Sequence, residues 1–501
     1  MAQPSSNEAD AQNEWAFTDE VEHDAILVDA VTKPKEKYPA KLHAQKVIKN
    51  LGSNEGIIYL PATPSMTYED SDQEMLFRQR RYFYYLSGIN YPNCAITYHI
   101  KGDVLIAWIP PQNVGSKVIF NGFNPTKEEI GAIADFDDVS NNSELEEYLG
   151  SFISNEKGKI YLLHNDQQPK FRQQVRRPND QSSPYESVSL IRAMDSARVI
   201  KSLYEIEAIR KANDITTKAH FCVSEQAKQQ AYGIIAGSGE NASTLHYGAN
   251  NEPLKGRQLV CLDAGSEWEC YASDVTRTFP ISGKWTKEAK EIYDIVEQMQ
   301  EECIKMVKPG VNYLAIHMHA HEVATKGLLK LGILQNGTYD ELFWSGISRA
   351  FFSHGLGHYV GLEVHDVGKY GALLYGAKGH RSDWTDIHLE LLKSPEKASS
   401  VPLRQVLEPN MVITVEPGIY FSKYALEDVY LKDKDMAKYI NKDLLAKYYP
   451  VGGVRIEDDL LVTEDGYENL TTTPKGDAAL KIINEGKEKV VEERMKRGWF
   501  W

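Results

Sequence analysis

Short apolar runs bounded by glycine or charged pairs come first along the chain, and helical spacing takes over only later. GIIYL, Ile57 to Leu60 with the glycine before it, reads as a strand. CAITYHI and DVLIAWIPP read as two more, with Gly102-Asp103 between them as a hairpin signal. SDQEMLFRQRRYFYYLSG predicts a helix closing on Gly88, and KGKIYLLHND predicts a further strand. Together they predict a smaller α/β domain over residues 41–185. FRQQVRRPNDQSSP (171–184) is polar, charged and proline-terminated, which suits a loop near a boundary. Residues 1–40 carry no such pattern and read as a disordered acidic leader.

From about residue 195 the period lengthens. Ser202-Leu203-Tyr204-Glu205 has capping-box spacing, and Ile206, Ile209, Ala212 and Ile215 then mark one helical face. A second helix, TKEAKEIYDIVEQMQEECIKMVKPG, aligns Ile292, Ile295, Val296, Met299, Cys303 and Met306 and stops at Pro309-Gly310. A third runs through LAIHMHAHEVATKGLLKLG. Strand-like segments lie between and after them: RQLVCLDAG, CYASDVTRTFPI, MVITVEPGIYF and VGGVRIEDDLLVTEDG. KEKVVEERMKRGWFW reads as a charged helix with an aromatic tip. The class predicted is α+β, with a larger domain over 195–501.

Composition narrows the function. A chain of 501 residues is too long for one ordinary core, so at least two domains are expected. A net charge of −15 argues against nucleic acid, whose phosphates need a cationic face. No stretch approaches a membrane span or a signal peptide. Five cysteines (Cys94, Cys222, Cys261, Cys270 and Cys303) with no C-x-x-C pair fit reduced thiols, and with them a cytoplasmic location. Four N-x-S/T matches, at Asn141, Asn241, Asn336 and Asn469, carry little meaning without a secretion signal.

The candidate chemistry lies in two patterns. FFSHGLGHYVGLEVHDVG (351–368) packs His354, His358 and His365 into a glycine-rich apolar segment. Backbone-bonded histidines in a crowded turn, or a metal ligand with proton-handling neighbours, both fit it. Acids in apolar strands supply the second pattern: Asp263 after Leu-Val-Cys-Leu, Asp274 opening Asp-Val-Thr-Arg-Thr-Phe, Glu416 ending Met-Val-Ile-Thr-Val, and Glu457 within VRIEDDLLV. Any one of them alone would ordinarily cap a turn or face water. Four inward carboxylates repel one another unless a cation neutralises them. Two divalent ions would do so, with His358 as the single nitrogen ligand, and an oxygen-rich set of that kind favours Mn²⁺, with Co²⁺ or Zn²⁺ as alternatives.

The ordered set DAG (263–265), SDVTRTF (273–279), HGLGH-x6-H (354–365), TVEPG (414–418) and RIEDD (455–459) resembles the pita-bread metallopeptidases. Within them it is similar to the Xaa-Pro aminopeptidase (aminopeptidase P) and prolidase branch, and LFRQRRYFYYLSG resembles that branch's N-terminal domain. The resemblance implies a pita-bread catalytic domain behind a smaller α/β domain, a pair of Mn²⁺ ions, and a homodimer built through the N-terminal domain. Its implied metal ligands are Asp263, Asp274, His358, Glu416 and Glu457, with Asp274 and Glu457 bridging. His354 and His365 would contact substrate and shuttle protons, His246 and Arg455 would bind substrate, and Tyr232 stands among the substrate-binding residues. Glu416 would be both ligand and proton acceptor. The implied reaction removes the N-terminal residue from peptides with proline second, through a hydroxide shared by the two metals. Two alternatives stand beside it: a prolidase restricted to Xaa-Pro dipeptides, and a non-catalytic scaffold that binds proteins.

Departures and decoys accompany the resemblance. KANDITTKAHFCVSEQAKQQAYGIIAGSGEN passes into the GSGEN loop several helical turns sooner than in the family, which should expose sheet surface and reposition Tyr232 and His246. KYGALLYGAKGHRSDWTDIHLELLKSPEKASS reads as a surface insertion, and Asn410 stands where glycine is common, in a left-handed turn that asparagine tolerates. GSGENA (237–242) mimics a dinucleotide fingerprint, but no helix can follow it. His317 and His321, four apart on the third helix, read as a solvated face rather than a metal pair.

Overall fold

The structure is a computed structural model and describes residues 37–66, 75, 77–114, 123–156, 158–169, 171, 182–221, 229–367, 373–374 and 406–496. The acidic leader up to residue 36, most of the polar run 171–184 and most of the insertion before Glu416 lie outside them. The compact unit begins at Tyr38, whose ring is buried.

The N-terminal part is one six-stranded sheet in the order β4-β3-β2-β1-β5-β6. Its strands are β1 (Ile57–Pro61), β2 (Ala95–His99), β3 (Val104–Ile109), β4 (Asp138–Asn141), β5 (Ile160–Tyr161) and β6 (Tyr185–Glu186). The expected hairpin is present: β2 and β3 pair antiparallel with His99 opposite Val104, and Asp103 takes φ 50° in the turn. KGKIYLLHND forms less strand than expected, pairing only at Ile160 and Tyr161. Helices α1 (Ala40–Leu51), α2 (Arg81–Ser87) and α3 (Asn142–Asn155) accompany the sheet.

The helix expected to close on Gly88 does close there, with Gly88 at φ 65°, but it begins only at Arg81. Buried Gln79 accounts for the late start. Its side-chain oxygen accepts from the Thr63 and Arg80 amides, and its nitrogen donates to the Ile89 and Tyr91 carbonyls. These bonds hold the chain extended through Arg80 (ψ 121°), overriding local propensity.

Two helices link this part to the rest, α4 (Ser189–Val199) and α5 (Leu203–Phe221). The capping box at α5 forms as the spacing predicts, Glu205 N to Ser202 Oγ at 3.4 Å and Ser202 N to Glu205 Oε2 at 2.7 Å. Beyond it stand β7 (Gln229–Gln230), β8 (Ile235–Ser238), β9 (Leu259–Ala264), β10 (Ser266–Trp268), β11 (Tyr271–Ala272) and β12 (Val275–Pro280). Helices α6 (Lys287–Met306) and α7 (Tyr313–Lys330) follow. Then come β13 (Val412–Val415), β14 (Gly418–Tyr420), β15 (Gly453–Arg455), β16 (Asp458–Val462), β17 (Tyr467–Asn469) and α8 (Gly476–Lys496). The sheets run β12-β9-β8, β13-β16-β17, β11-β10-β7 and β14-β15. A bridge between Thr276 and Glu457 joins the first two.

Helix α6 forms because Thr286 caps it, accepting from Ala289 N at 3.2 Å, and because one face is apolar. Ile292, Val296, Met299 and Cys303 bury that face in the core shared with α7, each contributing roughly 1.5–3 kcal/mol. Helix α7 corrects an expectation. His317 and His321 are buried, not solvated, because Ile316, Met318, Ala320, Val323 and Ala324 bury the helix on nearly every side. His321 Nδ1 meets Ser348 Oγ at 2.9 Å, and its ring stands edge-on to His317.

GSGENA is no dinucleotide loop: β8 pairs antiparallel with β9, Ile235 opposite Asp263, so the parallel βαβ unit such a site needs is missing. Asn410 adopts φ 67°, as its position requires. Among the described residues no helix lies between α5 and β8.

Candidate metal centre

Strand register gathers the acids. Asp263 on β9 faces Thr276 on β12, and Asp274 sits one step beyond the pair Val275–Ala264, opposite Gly265. A side chain at 265 would overlap the Ser273 carbonyl at 1.9 Å and the Tyr232 ring at 2.8 Å, so only glycine lets the hairpin close here. A second antiparallel pair places its acids in the same way. Glu416 and Glu457 lie one step beyond the last pair, Val415–Asp458, of β13 and β16. Arg455, two before Glu457, pairs with Gly418 and shares its face.

The histidines arrive on irregular chain. Between His354 and His358, Gly357 passes so close to β13 that a Cβ would stand 2.2 Å from the Thr414 carbonyl. The amide of His358 donates to Thr414 Oγ1 at 3.1 Å, and its Nδ1 lies 3.1 Å from the Tyr359 carbonyl, so Nε2 is the atom turned toward the acids. It lies 3.3 Å from Glu416 Oε1 and 3.5 Å from Asp274 Oδ2.

Three sets of donor atoms each fall within 4.8 Å of one another: Asp263, Asp274 and Glu457; His358, Glu416 and Glu457; and Asp274, His358 and His365. They line a cavity of about 260 Å³ together with Leu245, His246, His354 and Arg455. Asp263, Asp274 and Glu457 are nearly inaccessible, at 6%, 5% and 2% exposure, a burial that isolated carboxylates do not tolerate. Burial, then the charge of Asp263, pushes the Asp274 carboxyl up to about 7. Burial and Asp274 hold Glu457 well above the usual range. Glu416 goes the other way, to about 2: burial pushes it up, but the hydrogen bond and charge of His358, with His354 and Arg455, together outweigh that. Burial disfavours the His358 cation, yet Asp274 and Glu416 raise it well above an ordinary imidazole. Fully ionised, the four acids would carry more negative charge than Arg455 and His358 balance, which is why Asp274 and Glu457 cling to protons. A divalent cation at each of the first two sets fits that deficit.

Around the acids stand residues that sequence reasoning missed or placed otherwise. Tyr232, expected at the substrate, donates its hydroxyl to Asp263 and to Asp274 Oδ1, the second at 2.5 Å, and is absent from the cavity lining. Arg455 is held by Asp263 Oδ2 at 2.7 Å, Thr276 Oγ1 at 3.2 Å and the Tyr420 hydroxyl at 3.1 Å. Tyr420 also meets His354 Nε2 at 2.9 Å. It was not singled out, although its place two residues beyond Gly418, on a strand opposite RIE, is a signal that could have found it. Asp459 accepts from the Asp274 amide at 2.9 Å and from Asn213 Nδ2 at 2.8 Å. His246 lines the cavity with its ring 6.2 Å from that of His365. The shortened segment therefore leaves both Tyr232 and His246 beside the acids.

A carboxylate cavity built on two antiparallel strand pairs with one inward imidazole defines a class, and sequence profiles agree with it. The profile of metallopeptidase family M24 matches residues 191–464, and that of the aminopeptidase P N-terminal domain matches residues 40–161. The chain belongs to metallopeptidase family M24, in its Xaa-Pro aminopeptidase and prolidase branch, with a C-terminal pita-bread domain. It is 55% identical to a probable Xaa-Pro aminopeptidase of Botryotinia fuckeliana, over 97% of this chain and 95% of that one. It is 47% identical to a probable Xaa-Pro aminopeptidase of Aspergillus niger, over 90% and 94%. The Botryotinia alignment spans 531 positions while 97% of 501 residues is about 486, so that relative carries about 45 positions this chain lacks. Of solved structures, aminopeptidase P from E. coli in its low-pH form matches with a TM-score of 0.70 and 26% identity, over 90% of this chain and 100% of that one. A zinc-substituted form of the same enzyme with product matches at a TM-score of 0.68 and 25% identity, over 90% and 99%. Among the described residues no helix is long and apolar enough to cross a membrane.

Proposed function

We propose that this chain is a metal-dependent Xaa-Pro aminopeptidase that removes the N-terminal residue from peptides with proline in second place. Asp263, Asp274, His358, Glu416 and Glu457 would hold two divalent cations, Mn²⁺ by the oxygen-rich character of the set. The domain division we read is 41–185 for the N-terminal domain and 195–501 for the catalytic one. What carries the proposal is the convergence of donors from β9, from the ends of β12, β13 and β16, and from the 354–365 segment on one cavity. The names of the relatives, probable Xaa-Pro aminopeptidases, support the same substrate class.

When bound, the cations supply Lewis-acid activation of a water and of the scissile carbonyl. The chain's own groups do the rest. Glu416, ionised throughout the neutral range, accepts the proton of the attacking water and returns it to the proline nitrogen as the C–N bond breaks. His354, whose Nδ1 lies 3.7 Å from Glu416 Oε2, is kept neutral by burial and can relay that proton. His365 and His246, on the open side, meet the peptide carbonyl and steady the oxyanion. Tyr232 and Arg455 orient Asp263 between them, and Arg455, which lines the cavity, also faces the substrate. Proline leaves the scissile amide without an N–H, so a site that grips the carbonyl suits it.

Purified full-length chain saturated with Mn²⁺ tests the reading on Xaa-Pro-Xaa tripeptides and Xaa-Pro dipeptides. Release of the first residue from tripeptides is expected. Cleavage of dipeptides alone would replace it with a prolidase, and Mn²⁺ binding without hydrolysis would favour a binding scaffold.

A further inference from the structure

His365 reaches the cavity from an irregular loop, so neither helix nor sheet fixes its direction. Two residues on, Val367 lies at φ 56°, the left-handed region that a β-branched residue enters only as an outlier. Backbone strain of this kind persists only where the surroundings over-determine it.

The constraint is visible between the two. Asp366 is buried, and its Oδ1 accepts from Arg198 Nη2 at 2.5 Å while its Oδ2 accepts from Lys201 Nζ at 3.0 Å. Its amide donates to the Tyr359 carbonyl at 2.8 Å. Gly361 crowds the same carboxylate so closely that a Cβ would stand 2.4 Å from Oδ2. Both cations are anchored elsewhere. Arg198, at the end of α4, lies over the Tyr82 ring at 4.6 Å, and the Lys201 amide donates to the Asn410 carbonyl at 2.9 Å. Three buried charges contribute little net stability that apolar packing would not match, so their arrangement is better understood as a geometric constraint.

We propose that Arg198, Lys201 and Asp366 form a clasp that holds the strained turn at Val367 and thereby aims His365 into the cavity. They are positioning residues, and the inference rests on the peptidase reading only in giving His365 something to do. Without the clasp, Val367 relaxes toward negative φ, the neighbouring peptide planes rotate, and His365 turns away.

A double-mutant cycle tests it, because Val367→Gly removes the strain and with it the need for the clasp. Asp366→Asn should lower kcat on an Xaa-Pro-Xaa tripeptide about 10–100-fold, with KM and calorimetric Mn²⁺ affinity near wild type. Adding Val367→Gly should recover most of that loss. Should Asp366→Asn fail to fold, Lys201→Gln, which keeps the Arg198 pair, runs the same cycle. Unchanged kcat in both single variants, or a loss that Val367→Gly leaves unrecovered, overturns the clasp. If the wild-type chain binds Mn²⁺ yet cleaves no peptide, the activity falls and the clasp is still decided: the His365 ring resonances should shift in Asp366→Asn and return in the double variant. Resonances that stay fixed overturn it.

Discussion

The cavity has two walls, and they are made differently. One consists of Asp263, Asp274, Glu416 and Glu457, each on a strand or one residue beyond its last paired position. The other consists of His246, His354 and His365, all on chain without strand pairing. Register fixes the separations on the acid wall to within the slack of a hydrogen-bond ladder, so those side chains converge even where their charges oppose it. The histidine wall has no ladder and depends on close glycine contacts and buried ion pairs. The acid wall should therefore fail by losing metal, and the histidine wall by losing turnover with the metal retained.

Glu457→Gln should have the largest effect. Its Oε2 already accepts from Thr276 Oγ1 at 2.6 Å, so the variant stays packed but loses a charge from both donor sets it serves. Several kcal/mol of transition-state stabilisation depend on the cations, so kcat/KM should drop on the order of 10³-fold, with weaker Mn²⁺ binding in calorimetry. Full Mn²⁺ affinity in this variant would break the division between the walls. His354→Ala comes next, costing about 10²–10³-fold in kcat while Mn²⁺ affinity holds. Its Nε2 contact with Tyr420 gives a control: Tyr420→Phe, which keeps the ring, should lose less.

The acid wall also predicts a pH signature. Asp274 has a folded value of about 7 without metal, against roughly 3.9 in an unfolded chain. The folded state therefore keeps a proton that the unfolded state has released, and the stability this adds is full below about pH 4 and lost as pH rises to about 7. Cations need the ionised carboxylates, so the stabilisation by Mn²⁺ should grow over the same window, to about 2.7 kcal/mol at a free concentration of 100 Kd. Scanning calorimetry at pH 5 and 7.5, with and without Mn²⁺, reads it, and an equal shift at both would contradict the account. Smaller again is Asp459→Asn, at a residue that does not itself line the cavity. It weakens the acceptor that holds the Asp274 amide and Asn213, and should cost about 10–100-fold in Mn²⁺ affinity.

The acid wall was the more legible of the two. Asp263, Asp274, Glu416 and Glu457 stood out because each interrupts an apolar strand, and two-residue alternation put Arg455 beside Glu457 before any coordinates. Asp459 sits in the same IEDDLL run but passed unnoticed, because its partner Asn213 is 246 residues away on α5. Tyr232 was placed with the substrate because spacing cannot tell which way a tyrosine hydroxyl points. His317 and His321 were read as solvated for a related reason: i, i+4 spacing defines a face without saying what covers it. The late start of α2 had the same origin, since the bonds that hold Gln79 reach residues 10 to 16 positions away. Local pattern carried what register decides, and long-range hydrogen bonds decided the rest.

The smallest effect tests how far support for the histidine wall extends. Arg78 reaches the His365 loop from the N-terminal part, with Nη1 and Nη2 at 3.2 and 2.7 Å from the two carboxylate oxygens of Glu363. Side-chain exposures of 49% and 34% put water around that pair, so Arg78→Ala should cost about 0–1 kcal/mol of stability, and less at high salt. Three residues beyond Glu363, Asp366 holds the same loop from a site where water does not compete. If the buried clasp alone sets His365, Arg78→Ala leaves kcat within experimental error of wild type while Tm falls slightly. A kcat loss as large as that of Asp366→Asn would mean that the exposed pair shares in aiming the ring, and that the histidine wall is a joint product of the N-terminal and catalytic parts.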